Sequence, residues 1–348
     1  MVQRIHAIAA AIALVAAFDV HAGSQRTFVA SYGNDLNPCT LASPCRGFAA
    51  AIVQTSNDGE VVVLDSAGYG KIPLIDKSIA IASPAGVYAG ITVSGGDGIT
   101  INGVGITVAL RGLTIHGLAG TNGITIVDAD SVHVEACVIS NLLTGIRHNR
   151  GSLYVIDTVA RGNSSGLASA GPGKAKLDHV RVEGNTDGIV IQPQAQVFVH
   201  DSVVSGNGTG VYAIAQSSGY DIGVSIARSM MSDNGTAIRA VSSVFGVAAR
   251  VDVLDSEITG NSTGLMIDQS SGGVVDIAAA RNMIARNAVG LLFLDAGGTV
   301  LLDSNTIAQN VTGISGIAGT LLTRGNNTLR DNGADNTFFG TTTNVGGF

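Results

Sequence analysis

From residue 120 onward this chain repeats one phrase: a turn of the form Asn-x-x-Gly, then an apolar residue and a short run of alternating apolar positions. Asn163-Ser-Ser-Gly166, Asn185-Thr-Asp-Gly188 and Asn207-Gly-Thr-Gly210 are the clearest copies, and Asn234-Gly-Thr-Ala237, Asn261-Ser-Thr-Gly264, Asn287-Ala-Val-Gly290 and Asn310-Val-Thr-Gly313 continue them. The series opens at Asn141 and Gly145 with one extra residue. Counted from Gly123, the marker positions fall 22, 21, 22, 22, 27, 27, 26 and 23 residues apart. A unit this short cannot bury an apolar face alone, so it becomes stable only when neighbouring units stack and share a continuous core.

The segments between turns decide what is stacked. Leucine-rich repeats would carry Leu-x-x-Leu-x-Leu, which is absent. Instead the segments read Ile-Val-Ile, Val-Phe-Val and Val-Val, which are short β runs. Three such runs per repeat, as in 188–191, 196–200 and 202–205, predict a triangular coil. The expected fold is therefore all-β: a parallel β-helix, a solenoid of about 10–12 coils with three parallel sheets. Composition agrees: 47 glycines, 13% charged residues and no Trp describe many tight turns and much buried β-branched surface.

Coils one strand spacing apart, about 4.8 Å, turn any once-per-repeat residue into a column. Asn163, Asn185, Asn207, Asn234, Asn261, Asn287 and Asn310 are thus expected to form a structural ladder, their short amides tolerating a left-handed corner and bonding to the copies above and below. Five of them, Asn163, Asn207, Asn234, Asn261 and Asn310, also spell Asn-x-Ser/Thr, which reads as a by-product of the turn rather than a glycosylation signal.

Residues 1–22 carry the zones of a cleaved secretory signal: Arg4 in a positive start, Ala7–Phe18 as an apolar stretch, and His21-Ala22 before Gly23 as a small-residue cleavage site. A membrane span would need about 20 apolar residues, and no later stretch reaches that length. The expected location is therefore outside the cytoplasm, periplasmic or secreted, with no membrane insertion. Net charge is −7, which opposes nucleic acid and anionic membranes and demands a local basic groove if an acidic polysaccharide is to be held. Of the three cysteines, Cys39 and Cys45 bracket a short Pro-containing loop that a disulfide could close in an oxidising compartment, leaving Cys137 as a buried thiol. The chain divides into the signal at 1–22, an N-terminal cap at 23–59, the β-helix at 60–335 and a C-terminal tail at 336–348.

With its asparagine corners, coils of about 22 residues and export signal, the sequence resembles the pectate-lyase-like superfamily of right-handed parallel β-helix proteins. Thr27-Phe-Val-Ala-Ser-Tyr-Gly-Asn-Asp-Leu-Asn-Pro-Cys39 resembles that group's first strand and loop. Pro44-Cys-Arg-Gly-Phe48, an Ala-rich helix at 49–54 and the strand 59–64 resemble its short N-terminal helical cap. A helix laid over the open end hides core from water. The resemblance implies a polysaccharide partner but no particular activity, because this fold hosts lyases, hydrolases, esterases, epimerases and noncatalytic surface proteins. The combined Asn-Thr-Asp, Asp-Asp, Gly-His-Gly and Arg-Ile-Lys set of polygalacturonases is missing, as is a dense acidic cluster for calcium. No metal site is expected, and calcium is the one ion the resemblance leaves open.

Chemistry-bearing residues gather six positions before the turn asparagines: Glu135, Asp157, His179, Asp201, Arg228, Asp255 and Arg281. Asp201, Arg228, Asp255 and Arg281 alternate in sign and read as an exposed ion-pair ladder. Asp157, Asp178, His179 and Asp201, with Glu135 and His200 beside them, bring acid, base and ligand types to one sheet and are the catalytic candidates. Arg147, His148 and Arg150 form the most cationic stretch of the repeats and are candidates for gripping a carboxylate or sulfate on a sugar, against the plainer reading of a solvated coil edge. His116 and His133 read as hydrogen-bonded structural residues, and the lack of Trp with only six Tyr argues against sugar stacking. The function expected is polysaccharide binding or cleavage along a groove on coils 123–210, or alternatively a noncatalytic envelope or surface scaffold.

Overall fold

The computed structural model describes residues 23–216, 219–295 and 297–346; the signal expected at 1–22 lies outside them. The chain winds into a solenoid of three parallel sheets with 14, 12 and 12 strands. Sheet 1 runs from Ser24–Val29 to Thr341–Asn344, sheet 2 from Ile72–Ile75 to Ala334–Phe338, and sheet 3 from Ala67–Gly68 to Thr328–Arg330. One coil shows the order: Lys174–Asp178 in sheet 1, Arg181–Glu183 in sheet 3, Asp187–Ile191 in sheet 2, then Gln196–His200 back in sheet 1. The 26- and 27-residue repeats keep this plan, lengthening the sheet 2 strands to seven residues at Thr209–Ala215, Thr236–Ser242 and Thr263–Gln269.

Alternation along each strand sends every second side chain inward, where it meets its equivalents in register. Val132, Leu153, Ala175, Val197, Val224, Val251, Ile277 and Val300 form one such buried row. The result is one continuous apolar core along the axis, in which each coil completes the burial of the last.

The asparagine ladder stands between sheets 3 and 2 and is a chain of paired bonds. The Oδ1 of Asn207 accepts from the backbone N–H and the Nδ2 of Asn185, both at 2.9 Å, and Asn207 Nδ2 donates to Asn234 Oδ1 at 3.0 Å. The pattern runs without a break from Asn163 through Asn185, Asn207, Asn234, Asn261, Asn287 and Asn310 to Asn332. Two expectations need correction. The left-handed position is the residue before the ladder, Gly162, Gly184, Gly206, Asp233 and their equivalents, so the asparagines serve as hydrogen-bonding rungs rather than as left-handed corner residues. Asn141 is likewise a left-handed residue at φ 60, and Leu142 takes the rung, its N–H donating to Asn163 Oδ1 at 3.0 Å.

That one-residue offset also moves Glu135 out of the charge column. Counting back from Leu142 puts Ala136 above Asp157, while Glu135 pairs in register with Ile156 at a strand end. A second ladder, invisible as a repeat, lies between sheets 1 and 3. Hydroxyls of Thr158, Ser202, Ser229 and Ser256, then the amides of Asn282, Asn305 and Asn327, accept backbone N–H groups from the preceding coil.

At the N-terminal end, helix Phe48–Gln54 buries Phe48, Ala51 and Ile52 against the first coils, with Phe48 and Tyr69 rings 5.3 Å apart. Cys39 and Cys45 are joined by a disulfide and Cys137 is a buried free thiol. Closing so short a loop restricts the unfolded chain by about 2 kcal/mol. Cys39→Ser is therefore expected to lower the unfolding midpoint under oxidising conditions and to leave it unchanged in reductant; an equal thiol count with and without reductant would contradict the bridge. At the other end, the expected tail is drawn into the solenoid as far as Asn344, with Thr341–Asn344 pairing Thr320–Thr323.

Candidate functional site

The outer face of sheet 1 carries the concentration of chemistry. Each of its strands points a residue outward at mid-strand, and register aligns Ala109, His133, Tyr154, Lys176, Phe198, Ser225 and Asp252 in one row. His133 and Tyr154 stack with centroids 4.7 Å apart and planes 11° from parallel. The Lys176 ammonium sits 5.4 Å from the Tyr154 ring centre, a favourable cation–π arrangement. Lys174 and Lys176 have no carboxylate within ion-pair distance among the described residues. The other cations nearby do: Arg111 takes Glu135 at 2.7 Å, and Arg228 takes Asp201.

Beside this row lies a groove of about 420 Å³ lined by Lys176, Asp178, Phe198, His200, Asp201 and Arg228. Its outer wall is the left-handed corner column, in which Asp157, His179, Asp201, Arg228, Asp255 and Arg281 all have φ near 50°. The ion pairs there are paired two by two rather than continuous. Arg228 grips Asp201 with bonds of 2.9 and 2.8 Å, and Arg281 grips Asp255 with bonds of 2.7 and 3.0 Å. The guanidinium bonds hold the Asp201 and Asp255 carboxyls below the usual carboxylate range. Because their folded values are depressed, whatever these pairs contribute is present above the ordinary carboxylate range and is lost as pH falls below that range and through the depressed folded values.

Of the catalytic candidates, Asp178 and Asp201 line this groove, and His179 stands on the corner column with its Nδ1 3.0 Å from Asp178 Oδ1. Asp157 stands one coil earlier on the exposed corner. Asp201 is committed to Arg228 as a charged carboxylate, which leaves Asp178, His179 and His200 as the groups able to move a proton at the groove. Among the described residues, no group of three or more His, Cys, Asp or Glu is placed to hold a metal ion.

The cationic candidates divide. Arg147 is exposed on the outer face of sheet 2, and Arg150 lies in the turn into sheet 1, 3.8 Å from Asp128. His148 is not available to a ligand: it points inward, fully buried, with Nδ1 3.0 Å from Ser169 Oγ and Nε2 3.2 Å from the Gly151 carbonyl. Burial pushes its imidazole below the ordinary value, favouring the neutral ring. Its neighbours Ile146 (inward) and Arg147 (outward) set that phase.

Sequence reasoning missed Tyr154, Lys176 and Phe198 as a set. Each occurs once, so none stands out as a repeat; the signal that would have found them is their shared third position in consecutive sheet 1 strands, Ser152–Ile156, Lys174–Asp178 and Gln196–His200.

Three parallel sheets, an axial apolar core, ladders at two corners and a charged, aromatic outer face define a parallel β-helix protein of the right-handed type. Residues 90–272 and 187–347 match the family described as the right-handed β-helix region, and the chain belongs to that family. The structure is similar to that of pectate lyase Pel9A, with TM-score 0.57 and 17% identity over 81% of this chain and 77% of that one. It is also similar to the A-module of the Azotobacter vinelandii mannuronan C-5 epimerase AlgE4, with TM-score 0.55 and 14% identity over 83% of this chain and 89% of that one. At such identities the likeness is one of fold. No curated protein matches the sequence.

Proposed function

We propose that this is an exported protein that binds a polysaccharide bearing carboxylate or sulfate groups along the outer face of sheet 1, with Asp178, His179 and His200 placed to transfer protons to a sugar held there. The observation that carries this reading is the row His133, Tyr154, Lys176 and Phe198 beside the groove. Phe198 offers a partly exposed ring and Tyr154, its faces covered by His133 and Lys176, an exposed edge to a pyranose, and Lys174 and Lys176, with no carboxylate at ion-pair distance among the described residues, offer charge to its acidic groups. Within a chain of net charge −7, this is the local cationic surface that an acidic glycan needs. Arg147 and Arg150 extend it around the corner toward sheet 2. Proteins named for pectate and mannuronan share the fold, which supports the substrate class. The disulfide supports an oxidising compartment, and among the described residues no helix is long and apolar enough to cross a membrane.

The test is a panel of uronate, sulfated and neutral polysaccharides offered to the purified protein, scored for binding, unsaturated-product absorbance and new reducing ends. Binding to acidic members that weakens as salt rises is expected, and cleavage products or their absence decide between an enzyme and a binding protein. Failure to bind any member would sink the reading and favour a scaffold.

A further inference from the structure

We propose a second site, independent of the glycan face, on the outer surface of sheet 3: a Ser140–His116 dyad that hydrolyses acetyl esters of alcohols. His116 and Ser140 are register partners on adjacent coils, and His116 Nδ1 lies 3.2 Å from Ser140 Oγ. Asn141 Nδ2, which can only donate, lies 3.3 Å from the same nitrogen. In the neutral ring, Nδ1 is therefore the lone-pair nitrogen and the proton sits on Nε2. That single lone pair is shared between the Asn141 amide at 3.3 Å and the Ser140 hydroxyl at 3.2 Å, and whenever it takes the hydroxyl the serine has its hydrogen directed at a base, the relation that activates a nucleophile.

The surroundings complete the arrangement. Asn141 holds a left-handed backbone, and a Cβ at Gly162 on the next coil would come within 3.0 Å of its Oδ1, so the glycine makes room for the amide. Arg161 is the register partner of Ser140 on the other side. Its guanidinium is exposed with no carboxylate at ion-pair distance among the described residues, because the nearby Glu183 is taken by Arg181 at 2.7 Å. These groups line one groove of about 410 Å³. Ser140 is only 8% exposed, so the acyl group assigned to it is the smallest common one, acetyl, with the alcohol portion left in the groove.

In the reaction, Ser140 Oγ adds to the ester carbonyl carbon as its proton passes to His116 Nδ1, and the carbonyl electron pair moves to oxygen beside Arg161. That pair then returns, the bond to the alcohol oxygen breaks, and the alcohol leaves with the proton from Nδ1. Water repeats both steps on acetyl-Ser140, releasing acetic acid and restoring the serine.

The test uses the full chain with p-nitrophenyl acetate and a fluorophosphonate probe. Turnover above the buffer rate and a phosphonylated Ser140 peptide are expected. Ser140→Ala should abolish both while its unfolding midpoint stays at the wild-type value, and His116→Ala should slow turnover about 100-fold or more through loss of the base. No turnover above buffer, or turnover and labelling that survive Ser140→Ala, would overturn the proposal.

Discussion

Asn207→Ala is expected to lower the unfolding free energy by about 2–4 kcal/mol, a large effect for a single polar substitution. Asn207 is 3% exposed and sits mid-ladder. Losing its amide strands the Asn185 backbone N–H, removes one of the two bonds of Asn185 Nδ2, and takes a donor from Asn234 Oδ1. Asn185 and Asn234 are only 4% and 3% exposed, so each lost bond approaches the penalty of a buried unsatisfied polar atom. Each coil is stabilised chiefly by its neighbours, so the damage should appear locally as faster hydrogen exchange at the Asn185 amide, and globally as a lower urea midpoint. Asn141→Gly is the matched comparison, since Asn141 lies one position off the ladder on an exposed turn at φ 60, a backbone that glycine adopts without strain, and should change the midpoint little. Equal effects of the two substitutions would contradict the rung assignment.

Tyr154→Ala combined with Phe198→Ala is expected to weaken glycan binding by about 100-fold or more, at roughly tenfold per anchoring ring, with little change in the unfolding midpoint. The rings project outward from sheet 1 rather than into the core, so truncation leaves no cavity. The Tyr154 change also releases the Lys176 ammonium from its ring. Lys176→Gln should behave differently, lowering affinity at low salt and flattening its salt dependence, because it removes charge and keeps the rings. Isothermal titration with the acidic polymer selected by the panel distinguishes these. A double variant that binds as well as the wild type would remove the rings from the site.

How far these residues were legible in the sequence depended on whether they repeat. The asparagine ladder could be read because one side chain recurs at one place in every coil, and stacking makes recurrence equivalent to contact. The second ladder escaped because its rungs change from Thr158 through Ser202, Ser229 and Ser256 to Asn282, chemically equivalent acceptors that share no letter. Glu135 was misplaced by a single inserted residue in the turn at 141–145, and in a structure of period two a one-residue error moves a side chain to another row. His148 was misjudged from its charged neighbours, although the alternation from buried Ile146 already pointed it inward. The groove was half legible: the charges Asp178, His179 and Asp201 could be grouped by spacing, whereas Tyr154 and Phe198 join them only once strand phase is fixed.

Hydroxyl-radical footprinting with and without the bound acidic glycan asks most directly whether ligand lies on the outer face of sheet 1. Protection of Tyr154 and Phe198, with unchanged oxidation of Phe339, which is 82% exposed near the far end of the solenoid, is the expected result. Unprotected Tyr154 and Phe198 in the glycan-bound protein would contradict it.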